Sequence, residues 1–224
     1  MKGSVFSSLK IPSVAQNSIL QTGKMINKHN LRSMDRDTLA MKLKGGDLRM
    51  LLGADSVAKL VKTQTDFDAL FTLLFHHDRR VVMRAADAVE KITRTSRTFL
   101  SPHTGQLLEL LNDHANIEVR WHLAQLLPRL ALDANQLTEV WQRLRYWAAN
   151  RNESKLVRVH ALQGLFDLMQ YHGQPYMKPD FRALVAAISK EHIPSIDARV
   201  RSLRARVPRK TRRIPLGSKR RNIR

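Results

Sequence analysis

The chain contains no cysteine. This excludes disulfides and thiolate metal sites, and fits a reducing, cytoplasmic setting as well as a protein that merely does without the residue. No run approaches the roughly 18 consecutive apolar residues that a bilayer crossing demands, so no membrane span is expected. Polar residues interrupt any would-be signal core at the N-terminus. The Ser-rich, acid-free stretch 1–34 loosely resembles an organelle transit peptide, yet its lysines outnumber its arginines and no amphipathic period runs through it. Catalytic signatures are missing too: there is no HExxH, no serine nucleophile elbow, no Gly-rich phosphate loop and no kinase motif. Gly45-Gly46 reads as a helix stop. Catalytic residues, a metal site and a cofactor are therefore not expected.

Acidic residues are absent from both ends. Residues 1–32 carry five basic side chains and no acid, and residues 199–224 carry twelve and no acid. Between them, 33–198 holds 22 basic residues against 19 acidic ones, so a formal charge of +20 reduces to +3 over the segment able to fold. Three parts follow: a disordered basic segment over 1–32, a folded domain over 33–207 and a disordered basic tail over 208–224. With 224 residues, 43% of them hydrophobic, the chain has enough apolar material for one ordinary core.

That material recurs at helical spacing. Ser33, with Asp35 and Asp37 behind it, is a capable N-cap for a short helix, and two further helical pieces are expected near 47–52 and 56–63. Phe67, Leu70, Phe71 and Leu74 then form an i, i+3, i+4, i+7 stripe. After His76-His77-Asp78 a second helix carries Val82, Ala85, Ala86, Val89 and Ile92. Ser101-Pro102 opens the next pair, with Leu107, Leu110 and Leu111 followed by Val119, Leu123, Leu126, Leu127 and Leu130. Asp133 and Asn135 precede Leu137, Val140, Trp141 and Leu144, and the partner helix carries Leu156, Ala161, Leu162, Leu165 and Phe166 up to Gly173 and Pro175. The last pair, after Pro179, carries Phe181, Leu184, Val185 and Ile188, then Ile196, Val200, Leu203 and Val207. No segment reads as a strand, and the fold class is all-α.

Arginines mark a register across these pairs. Arg84, Arg120, Arg158 and Arg199 each stand early in a second helix, 36, 38 and 41 residues apart, within VVMRAADAVEKI, IEVRWHLAQLL, KLVRVHALQGL and IDARVRSL. A two-helix unit recurring about every 40 residues is the mark of a stacked solenoid. Over about 66–207 these phrases resemble the HEAT-repeat family, and MRAADAVEKITR and VRWHLAQLLPRL resemble small bacterial HEAT-repeat proteins. The resemblance implies an α-solenoid of about four helical pairs with short N-terminal capping helices, and implies no activity.

HEAT proteins often carry an Asp six residues before that Arg, making a ladder of pairs between turns. Here the position holds Asp78, His114, Asn152 and Ile193, with Asp113 one residue off the pattern. The four arginines either act as struts on carbonyls and neighbouring acids or remain available to phosphates and carboxylates. Arg209, Lys210, Arg212, Arg213, Lys219, Arg220 and Arg221 form two dense clusters that attract polyanions through counterion release; the alternatives are a solvated tail or a nuclear-localisation-like run. RNA, DNA and acidic protein are not distinguished by such a signal. Trp141 and Trp147 belong to the core stripe, whereas Trp121 either packs inward or faces a groove with His122 and Arg129.

The reading is a non-catalytic scaffold, monomeric, that docks another protein on the concave face formed by its second helices while its tails contact nucleic acid. An adaptor without nucleic-acid binding is the alternative. A third reading rests on the HEAT-like DNA glycosylases, which use aromatic residues and a carboxylate; Asp87 or Asp167 would have to supply it.

Overall fold

A computed structural model of the chain describes residues 34–44, 52–112 and 117–206. Among these residues there are ten α-helices and no strand. Side-chain caps account for four of the helix starts. Thr63 caps α3 (Gln64–Phe71) and Asp133 caps α7 (Ala134–Ala149), each in a reciprocal capping box, the first with Asp66 and the second with Gln136. Asp78 caps α4 (Arg79–Thr93) by accepting the Arg80 N–H at 2.9 Å. Ser154 does the same for α8 (Lys155–His172), its Oγ accepting the Val157 N–H at 3.1 Å. Gly173, at φ +57°, ends α8 in the left-handed conformation that glycine tolerates best.

Several sequence-based boundaries shift. Ser33 lies outside the described residues, and the carboxylate of Asp35 takes the capping role for α1 (Arg36–Lys44), accepting the Thr38 N–H at 2.9 Å. One helix, α2 (Leu52–Leu60), stands where a piece over 56–63 was expected, while Gly45, Gly46 and the residues up to 51 are not described. Ser101-Pro102 falls inside a 3₁₀ segment, Arg97–His103, and α5 (Thr104–Asn112) begins after it, because the proline ring suits the tighter turn that leads in. After α6 (Ile117–Leu126) a short 3₁₀ turn carries Leu127–Arg129. The next helix, α9 (Met177–Ile188), starts ahead of Pro179, which sits in its first turn where a missing N–H costs nothing. A 3₁₀ turn, Ser189–Glu191, then leads to α10 (Pro194–Arg206).

The stripes pack as their spacing predicts, except that Leu110 is only partly buried and Leu156 is turned outward. Leu156 is 49% exposed. Val157, Ala161, Leu162, Leu165 and Leu168 take the inward face of α8, and the second residue of that helix is left pointing away from it. Val207 lies outside the described residues.

The even-numbered helices pack on one another in sequence: α2 on α4, α4 on α6, α6 on α8 and α8 on α10. The intervening helices make a second set of contacts, α5 with α7 and α7 with α9, and they cross to the row as α3 to α4, α5 to α6, α9 to α8 and, most extensively, α7 to α8. One continuous apolar core results, running from Leu39 to Leu203. Each fully buried Leu or Phe in it contributes about 1.5–3 kcal/mol. Helices α6 and α8 approach closely at Gly164, where a Cβ would lie 2.4 Å from the Ala124 carbonyl oxygen. That approach is open only to glycine.

Candidate functional site

The four register arginines are set into the row of even-numbered helices, near the start of α4, α6, α8 and α10. Arg84 is fully buried and its Nη1 donates to the Leu43 carbonyl at 2.6 Å, tying α4 to the end of α1. Arg120 forms an ion pair with Glu153, in the turn between α7 and α8. Arg158, 1% exposed, donates from Nε to the Ala148 carbonyl at 3.0 Å and grips Glu191 with both terminal nitrogens. Arg199 donates to Gln163 Oε1 at 2.8 Å, back onto α8. Each of the four thus has an acceptor on another element, more than 30 residues away along the chain.

Sequence reasoning missed the acids. Glu153 follows Asn152 by one residue and Glu191 precedes Ile193 by two, so both sit next to the expected position without occupying it. Each serves the arginine of the preceding pair, 33 residues back. Asp78, which does occupy the position, caps α4 and pairs with Arg80 at 3.1 Å. Asp113 and His114 lie outside the described residues.

The groove expected from Trp121, His122 and Arg129 does not form from those three. His122 is 1% exposed and belongs to the interior. Arg129 reaches back to α4, donating from Nη1 to the Glu90 carbonyl and to Thr93 Oγ1, both at 2.7 Å, and pairing through Nη2 with the Glu90 carboxylate. Its guanidinium is spent on that helix end. Trp121 keeps partial exposure, with its ring 5.1 Å from that of His160 on α8. Trp141 and Trp147 are each 3% exposed, and Trp141 Nε1 donates to Asp180 Oδ2 at 2.8 Å, joining α7 to α9.

The face of α8 beyond Trp121 carries His160, Gln163 and Asp167 at i, i+3 and i+7, so the three lie along one side. Burial, with the Arg199 charge adding to it, pushes the His160 imidazole below its usual range and favours the neutral ring. Burial pushes the Asp167 carboxyl up, against the Gln163 side chain, which donates to it at 2.8 Å, and against the more distant fields of Arg206, Arg129 and Arg199. Glu90 balances the other way: burial raises its carboxyl, but Arg94 and Arg129 outweigh that and hold it below the ordinary value. Asp87, 6% exposed, pairs with Lys91 at 2.7 Å, and Lys91 also reaches Asp55 at 2.6 Å.

This arrangement offers an aromatic ring, a neutral imidazole, an amide and a half-buried carboxyl: hydrogen-bonding and stacking chemistry, with no nucleophile activated by a neighbour. Among the described residues no three His, Asp or Glu side chains converge as metal ligands, and no helix is long and apolar enough to cross a membrane. The basic clusters Arg209, Lys210, Arg212, Arg213 and Lys219, Arg220, Arg221, like residues 1–32, lie outside the described residues. No family model, no curated protein and no solved structure matches the chain.

Proposed function

We propose that the chain is a short α-solenoid of HEAT-type helical pairs that works as a non-catalytic binding scaffold, docking another protein on the face of its even-numbered helices and contacting nucleic acid through its basic ends. One observation carries the solenoid reading. Arg120 with Glu153 and Arg158 with Glu191 repeat the same contact at the same 33-residue separation, each joining the second helix of one pair to the turn of the next. Together with the unbroken packing of α2, α4, α6, α8 and α10, this supports the nearest-neighbour architecture expected of repeat proteins. Scaffolding follows from what such an array presents: a long row of side chains on rigid helices, here including Trp121, His160, Gln163 and Asp167.

The nucleic-acid part rests on charge alone. Counterion release makes phosphate binding by clustered Arg and Lys strongly salt-dependent and indifferent to base sequence. Mobility shift of RNA and DNA at low and at physiological salt tests it, with the chain lacking residues 208–224 in parallel. The expected result is binding that weakens steeply with salt and with removal of the tail. Absence of binding to either polymer at low salt overturns this part and leaves the adaptor reading.

The glycosylase reading draws little support from the candidate carboxylates. Asp87 is committed to Lys91. Burial favours the protonated form of Asp167, the opposite of what a carboxylate stabilising a cationic sugar requires. Release of a methylated base from alkylated DNA is its test, and no release is expected.

A further inference from the structure

Helices α7 and α8 pack along one another, whereas α9 and α10 barely touch and are joined through the 3₁₀ turn at Ser189–Glu191. A cavity of about 630 Å³ opens between them and the end of α8. Its volume lies within the ~300–1,000 Å³ typical of small-molecule sites. The apolar lining comes from Met169 on α8, Phe181 and Val185 on α9, and Val200 and Leu203 on α10. Lys178, Arg182 and Arg204 line it as well, all three exposed, and no carboxylate is among the described lining residues. We propose that this cavity binds a small amphipathic anion, with an aliphatic body against Phe181, Val185, Val200 and Leu203 and a carboxylate head held by Lys178, Arg182 and Arg204.

The charge at the cavity selects this occupant. Residues 1–33 carry five cations and residues 207–224 eight, neither with any acid, so the chain's own ends are repelled by a lining of the same sign. A neutral hydrocarbon would leave three cations unused beside the lining. An anionic head gains charge-assisted hydrogen bonds from all three, while its body covers apolar surface that would otherwise face water.

Calorimetric titration of the full chain with laurate, kept below its micelle concentration, tests the proposal. The expected result is a saturable one-to-one component, absent with dodecylammonium, which has the same body and the opposite head. The triple variant Lys178→Gln, Arg182→Gln, Arg204→Gln changes only exposed side chains and weakens that component about tenfold or more. Val185→Phe narrows the cavity and weakens that component as well; should that variant fail to fold, the exposed triple variant decides alone. Binding through the basic ends instead would survive both changes. The proposal is overturned if laurate shows no one-to-one component, if the triple variant keeps it at full strength, if dodecylammonium binds as well, or if an acidic amphipathic peptide binds here and laurate does not.

Discussion

Arg158 and Glu191 form a bidentate ion pair, with Nη1 2.9 Å from Oε2 and Nη2 3.0 Å from Oε1. The arginine is 1% exposed and stands near the start of α8, while the glutamate lies in the turn ahead of α10. Fork-to-fork geometry fixes orientation as well as distance, so the contact sets how one helical pair meets the next. Glu191→Gln removes the countercharge and leaves a buried guanidinium half-satisfied. Breaking a buried pair from one side costs about 3–5 kcal/mol, and for a chain of this length each kcal/mol lowers Tm by about 2–4 °C. Thermal melting by circular dichroism is expected to register that fall; a Tm within about 1 °C of the wild type, well inside what 1 kcal/mol produces, would mean the pair contributes nothing to the packing.

Gly164 supports a prediction that runs against helix propensity. Alanine is worth about 1 kcal/mol more than glycine inside a helix, so Gly164→Ala viewed on α8 alone should stabilise. The added Cβ would lie 2.4 Å from the Ala124 carbonyl oxygen and 3.0 Å from Leu144 Cδ1. Backbone on α6 cannot yield as the end of a flexible side chain does, so the two helices must separate. The expected net result is destabilisation of about 1–3 kcal/mol, read as a lower urea midpoint.

How much of this was legible in advance depends on whether a feature repeats along the chain or acts across it. The stripes through Phe67, Leu123, Val140 and Leu162 are periodic, so helix identity and the buried faces followed from spacing alone. The arginine register was legible for the same reason. Glu153 and Glu191 were not, because they act across units from turns of unequal length, and one or two extra residues move an acid off the expected position while its side chain still reaches. Leu156 failed because a stripe says nothing of which residue begins the helix. Arg129 looked like a free cation beside Trp121 for want of any sequence sign that Glu90, 39 residues earlier, was buried with its carboxylate turned towards it. The parting of α9 from α10 leaves no mark on hydrophobic periodicity at all.

Acid should loosen the array through specific pairs. Arg158 holds the Glu191 carboxyl below its ordinary 4.5. Glu90 is also held below 4.5, burial being outweighed by Arg94 and Arg129. A carboxyl whose folded value is depressed contributes stability that is complete above the unfolded value and is lost as pH falls through the folded one. Tm is therefore expected to hold steady down to about pH 4.5 and then to drop, and Glu191→Gln should flatten that drop. Asp167 works in the opposite sense: burial raises its carboxyl above 3.8, so its charge costs stability at neutral pH and the cost disappears in acid. Asp167→Asn should accordingly raise Tm at pH 7, with the gain shrinking as pH approaches 3.8.

Arg129 separates an architectural cation from a binding one. It closes the end of α4 through the Glu90 carbonyl, Thr93 Oγ1 and the Glu90 carboxylate, and that carboxylate is 3% exposed. Arg129→Met keeps most of the aliphatic stem and removes the charge. Glu90 retains Arg94 at 2.7 Å, an exposed partner on its own helix, so the loss is partial and about 2–4 kcal/mol is expected against the 3–5 of a wholly broken buried pair. The double variant Arg129→Met, Glu90→Leu removes both buried charges and should recover much of that stability, because the penalty lies in the orphaned carboxylate rather than in the absent arginine. If Arg129 instead served a partner at the surface, the single variant would melt like the wild type and lose binding only. Melting curves of the two variants beside the wild type decide between these outcomes.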